Sequence, residues 1–169
     1  MSFVINNVSL KFCNFAKPRF DELRKQDVYS SVLCVPNTDE NFNLLQAEID
    51  DAIEYARTHK AADVAYHEPH IPNLAAMVGK DYQNIEINLN STKPPTVYDA
   101  YGEIIQNPTM RSIKDAEVQL FIYVWTMPKG RVKWGASILL DSICVHDDLS
   151  EEKKRDKDNK PKLTFKKRK

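Results

Sequence analysis

The run Glu117-Val-Gln-Leu-Phe-Ile-Tyr-Val-Trp125 alternates aliphatic with polar and aromatic side chains. Successive side chains of an extended strand point to opposite faces. Val118, Leu120, Ile122 and Val124 therefore form one row and Phe121, Tyr123 and Trp125 the other. The aliphatic row is what a core takes. The aromatic row sets rings about 6.5 to 7 Å apart, a spacing at which successive bases of a stretched single strand each meet a ring, whatever their identity. Aromatic side chains also dominate cores and interfaces, so the competing reading is that these rings face a helix, a loop or a second subunit. The residues that follow, Lys129, Arg131, Lys133 and Trp134, favour the first reading. Cations beside exposed rings are what a phosphate backbone next to stacked bases requires.

Working outward, strands are expected at Val8 to Phe15, with Val8, Leu10 and Phe12 on the apolar face, and at Val28 to Val35, which is apolar on both faces and so central. Pro36 stops the second strand. Asn37 with Glu40 three residues on makes an N-cap pattern, and Phe42, Leu45, Ile49, Ile53 and Ala56 recur at helical spacing over about 39–59. Residues 61–82 read as a long loop with one helical turn near Leu74 to Val78, a length that is usually functional or mobile in a small domain. Further strands are expected at Asn84 to Leu89, at Thr96 to Ile105 with a turn at Tyr101-Gly102, at Ala116 to Trp125, and at Val132 to Val145 after a Pro128-Lys129-Gly130 turn. This is a mainly β chain with one inserted α-helix, the pattern of a small closed or partly closed barrel.

The chain of 169 residues has 24 Lys/Arg and 24 Asp/Glu, but residues 151–169 hold ten of the cations and four of the acids. An acidic body thus carries a basic end. That end has only Leu163 and Phe165 as large apolar residues and cannot bury enough surface to offset its ordering entropy. A folded domain of residues 1–148 with a disordered basic tail, 149–169, is expected. Cys13, Cys34 and Cys144 are expected to be free thiols packed as small hydrophobes. Four glycines leave no phosphate-cradling loop, and Val78-Gly79-Lys80 lacks the first glycine of one. No apolar run approaches the roughly 18 to 20 residues of a membrane span and no secretory leader opens the chain, so no membrane partner and a cytosol-like compartment are expected. His67 and His70 lack a cysteine partner, His146-Asp147-Asp148 reads as the polar start of the tail, and Asp81 with Glu86 lacks the lysine of a nuclease site. Neither metal, cofactor nor enzymatic activity is expected. The runs Lys153-Lys154-Arg155 and Lys166 to Lys169 are weak as a nuclear address.

Three stretches carry a family likeness. Lys93-Pro-Pro-Thr-Val-Tyr-Asp-Ala-Tyr-Gly102, Asp115-Ala-Glu-Val-Gln-Leu-Phe-Ile-Tyr-Val-Trp125 and Trp134-Gly-Ala-Ser-Ile-Leu-Leu-Asp-Ser-Ile-Cys-Val145 resemble the second half of the phage single-stranded DNA-binding proteins of short-tailed coliphages. Val35-Pro36-Asn37 before an acidic helix is also similar, and the likeness spans about residues 15–148. It implies an OB-fold-like five-stranded barrel that binds single-stranded DNA without sequence preference or catalysis. It also implies roles in phage DNA replication, recombination and repair, in the cytoplasm of the host cell. Carried over by position, the groove uses Phe121, Tyr123 and Trp125, the turn Lys129 to Trp134, and Lys93, Tyr98 and Tyr101 around the Asp99-Ala-Tyr-Gly hairpin. Lys17 and Arg19, with Arg24, Lys25, Arg111 and Lys114, are the other candidate phosphate contacts.

The likeness breaks at the end of the chain. Members of that family typically end in an acidic tail that recruits replication enzymes and competes with DNA, whereas this chain ends in Phe165-Lys166-Lys167-Arg168-Lys169. Those cations are expected to add phosphate contacts and to open duplex DNA as a second partner. A homo-oligomer is also left open. The alternative from another class is a phage structural or interaction protein whose aromatic face is a subunit interface, a reading the acidic body favours.

Overall fold

The computed structural model describes residues 2–23, 25–59, 65–127 and 129–147. The expected domain end at residue 148 and the tail lie outside them, as do Arg24 and Pro128. Among the described residues six strands form one sheet: β1 (Ser2–Asp21), β2 (Gln26–Pro36), β3 (Asn84–Ser91), β4 (Thr96–Tyr98), β5 (Ile113–Thr126) and β6 (Trp134–Val145). Their spatial order is β3-β2-β1-β5-β6-β4, antiparallel except for the β4–β6 pair. The helix α1 (Asp39–His59) enters between β2 and β3.

Period-two burial builds the core. Val118, Leu120 and Ile122 of β5 pack with Ile5 and Leu10 of β1, Leu33 and Val35 of β2, and Ile85 and Ile87 of β3. From α1, Leu45, Ile49, Ile53 and Ala56 cover the same core, the face the helical spacing defines. The helix begins one residue later than its expected cap. Thr38 Oγ1 accepts from the Asn41 N–H at 3.1 Å, while Asn37 ties the chain to the next loop through N–H to Gln83 O, 2.9 Å, and Nδ2 to Tyr82 O, 3.3 Å.

The barrel differs from the five-stranded expectation in having six strands and an open ladder. β3 and β6 face each other without pairing, and residues 65–82 fill the gap. The His70 N–H donates to Trp134 O and the Ala136 N–H to His70 O, both at 2.9 Å, and the Gly79 N–H donates to Asn84 O at 2.9 Å. One end of the loop is thus stitched to β6 and the other to β3, with Leu74 of the 3-10 turn Leu74–Met77 buried between. What reads in sequence as a long loop is the closure of the barrel.

β1 runs well beyond Val8 to Phe15 and pairs with both β2 and β5. A strand shared by two curved halves must bend, and register shifts at Lys11/Asn14 and Asn14/Arg19 on one side and at Ile5/Val8 and Val8/Leu10 on the other supply the bend. They also break the simple alternation: Phe12, expected on the apolar face, is 64% exposed. The expected strand Thr96 to Ile105 shortens to β4 because the Asp99 carboxylate draws in the next residues, accepting from the Tyr101 N–H at 2.9 Å and the Glu103 N–H at 3.0 Å. Gly102, at φ 83°, completes that turn. No helix among the described residues is long and apolar enough to cross a membrane.

Candidate nucleic-acid interface

Phe121, Tyr123 and Trp125 stand on the face of β5 opposite the core and α1. Across the ladder they meet Leu139, Ser137 and Gly135 of β6. Ser137 and Gly135 are small: Tyr123 is 51% exposed, and Phe121 and Trp125 are half-buried. The indole of Trp125 is held at its edge, Nε1 donating to Ser137 Oγ at 3.2 Å, with the His70 ring 6.3 Å away. It lies over Gly135, where a Cβ would stand 2.7 Å from Trp125 Cζ2 and 2.5 Å from His70 O. A side chain there would displace both.

The β5–β6 turn closes through Met127 N–H to Lys133 O, 2.7 Å, and Gly130 N–H to Met127 O, 2.8 Å. It presents Lys129 and Arg131 to solvent beside the Trp125 end of the row, with Lys133 half-buried. Trp134 corrects the expectation that it belongs to the groove. It is fully buried, donates Nε1–H to His67 O at 2.8 Å, and carries the Arg57 guanidinium 5.6 Å from its ring centroid. As the first residue of β6 it faces inward and anchors the end of α1.

The remaining candidates are not gathered at the row. Tyr98 pairs with Cys144 and so stands level with Glu117, six residues from Tyr123 along β5, or about 20 Å. Tyr101 is exposed in its turn and Lys93 in the loop before β4. Lys17 and Arg19 are exposed near the far end of β1, where Arg19 Nε donates to Ser30 Oγ at 3.3 Å. The tail cations Lys166, Lys167, Arg168 and Lys169 lie outside the described residues.

The fold supplies a path that the sequence did not reveal. Between β3 and β6 a groove of about 210 Å³ is lined by His70, Asn88, Asn90, Ser137 and Leu139 among others. Ser137 and Leu139 are the ladder partners of Tyr123 and Phe121, so this groove borders the aromatic row. Asn88 and Asn90 continue into a second groove of about 350 Å³ over β1 and β2. Neither groove is lined by a carboxylate. The acids Asp39, Glu40, Asp50, Asp51 and Glu54 are exposed on α1, across the core. Asparagines scattered over a strand carry no sequence signal of their own; only the approach of β3 to β6 makes them a surface.

The three cysteines are free, and burial pushes the Cys13 thiol up to about 12. His67 and His70 serve the loop through their carbonyls. Among the described residues no three metal-ligating side chains converge.

The fold of this chain is similar to the folds of solved phage single-stranded DNA-binding proteins. The solved structures similar to this chain include that of bacteriophage Enc34 in complex with single-stranded DNA, with a TM-score of 0.57, 17% identity, and 87% of this chain and 86% of that one covered. Another is gp2.5, a single-stranded DNA-binding protein of bacteriophage T7, with a TM-score of 0.56, 16% identity, and 89% and 96% covered. A C-terminal truncation of the Enc34 protein gives a TM-score of 0.58 at 13% identity. No protein-family model matches the chain, and neither does any curated protein.

Proposed function

We propose that this protein binds single-stranded DNA without sequence preference and without catalysing a reaction, in the host-cell cytoplasm, in support of phage DNA replication, recombination and repair. Fold alone does not carry function. The observation that carries it here is the aromatic row, paired with Gly135 and Ser137 and bordered by a groove without carboxylates. That the Enc34 protein has this fold in its complex with single-stranded DNA supports the same reading. Bases stack on Phe121, Tyr123 and Trp125, and Lys129, Arg131 and Lys133 take phosphates at the Trp125 end. Arg19 and Lys17 take phosphates at the far end of β1. A strand continuing past Phe121 along β6 reaches Lys93, Tyr98 and Tyr101. The tail cations Lys166 to Lys169 add contacts that duplex DNA also satisfies.

The test is binding of a labelled single-stranded oligonucleotide across a salt series, by the full chain and by a chain ending at Asp148, with duplex as competitor. Preference for the single strand is expected to survive truncation with a shallower salt dependence. Tyr123→Ala is expected to cost about 1 to 3 kcal/mol of affinity with the melting temperature unchanged. Complete loss on truncation would make the tail the whole nucleic-acid contact and the aromatic face a subunit interface, which sedimentation would then show as an oligomer.

A further inference from the structure

Phe12 is an aromatic side chain that the aromatic row does not account for. From Lys11↔Val32 to Asn14↔Ser30, β1 advances three residues while β2 advances two. The extra residue makes a bulge, and bulges re-aim side chains. Here Cys13 stays in the core at 1% exposure while Phe12 turns outward at 64%, with φ 54°. A bulky residue in the left-handed region is a genuine outlier, held only where its surroundings impose it, and such positions cluster at binding sites. The ring it exposes forms one wall of the second groove, with Asn14, Arg19, Ser30, Asn88 and Asn90. The Lys11 ammonium, paired with Glu86 at 3.4 Å, lies 5.7 Å from the ring centroid.

This groove joins the aromatic row. Asn88 and Asn90 line both grooves, and the first reaches Ser137 and Leu139, partners of Tyr123 and Phe121. Phe12 lies two strands from Asn88, about 10 Å at ordinary strand spacing. We infer that Phe12 is a second base-stacking site, and that single-stranded DNA crosses the sheet from the row on β5 over Asn88 and Asn90 to Phe12. Arg19 takes a phosphate there. The asparagine amides, which both donate and accept, meet base edges of any identity. The inference rests on the proposed single-strand binding and extends it to a defined path.

The test compares the wild type, Phe12→Gly and Phe12→Trp on oligothymidylates of about 4 and about 12 nucleotides, both within the range of about 4 to 16 that one such fold occupies. Phe12→Gly removes the ring and places at φ 54° the residue that tolerates it, so the melting temperature is expected to hold or rise. Its affinity for the longer oligonucleotide is expected to fall about 5- to 150-fold, the loss of one stacked base. The shorter one, seated on the row, changes little, and Phe12→Trp binds both as wild type does. Wild-type affinity of Phe12→Gly for the longer oligonucleotide would remove the Phe12 site and leave single-strand binding standing. A wild type that binds neither length would overturn both. Independently of any variant, photocrosslinking the wild type to an oligonucleotide carrying 5-iodouracil is expected to mark Phe12, and adducts confined to β5 would refute the path.

Discussion

At Gly135 the absence of a side chain is what admits Trp125. A Cβ there would meet His70 O at 2.5 Å and Trp125 Cζ2 at 2.7 Å, and the first is backbone that is itself bonded to β6. Gly135→Ala is therefore expected to cost about 1 to 3 kcal/mol of stability, as overpacking does, and to weaken single-strand binding by displacing the indole. Thermal melts and oligonucleotide titrations on one preparation check both. Cys13 makes a different prediction. Its thiol is raised to about 12 by burial, so above the ordinary thiol range the unfolded chain loses a proton that the folded chain keeps. The unfolded state is then favoured as pH climbs, by about 1.4 kcal/mol per unit, until the folded thiol also ionises near 12. Melting temperature is expected to fall over that window, and Cys13→Ala to flatten the fall. Trp134 shows the limit of reading single residues: its neighbours Lys133 and Arg131 suggest a binding turn, but strand phase turns it inward under Arg57.

Among the elements, α1 was the most legible, because its start, spacing and end signals agree: acids in the first turn, Arg57 and His59 in the last. The cap falls on Thr38 rather than Asn37 because both are competent, and tertiary bonds to Gln83 and Tyr82 occupy Asn37. Thr38→Ala is expected to destabilise the protein by about 1 kcal/mol, measurable by urea unfolding, without altering DNA affinity, since α1 lies across the core from the row. β5 was legible for the same reason as the helix, its alternation being unbroken from Val118 to Ile122. β1 was not. Bulges carry no composition of their own, so its length, its double pairing and the outward turn of Phe12 appear only once β2 and β5 fix its two edges.

Over the whole molecule, the acidic body that weighed against a nucleic-acid binder becomes intelligible once sign is separated by face. The exposed acids of α1 and the carboxylate-free grooves lie on different elements, and exposed charges more than about 8 Å apart are largely screened at physiological salt. Replacing Asp50 and Glu54 by lysine is thus expected to leave single-strand affinity nearly unchanged at about 0.15 M salt. A large gain in the same titration would show that the acids do reach the DNA. The Ser137 and Leu139 edge of β6 and the Asn88 and Asn90 edge of β3 meet because the sheet curls, and residues 65–82 fasten the two edges.

By itself the sequence determined the β-rich class, the inserted helix and the two rows of β5, because each follows from the period of a local element and from what that period must bury. Only the tertiary structure decided that Trp134 is core, that the long loop closes the barrel, and that Phe12, Asn88 and Asn90 line one groove. Those facts depend on the register between strands far apart in the chain, and one bulged residue is enough to send a side chain to the other face.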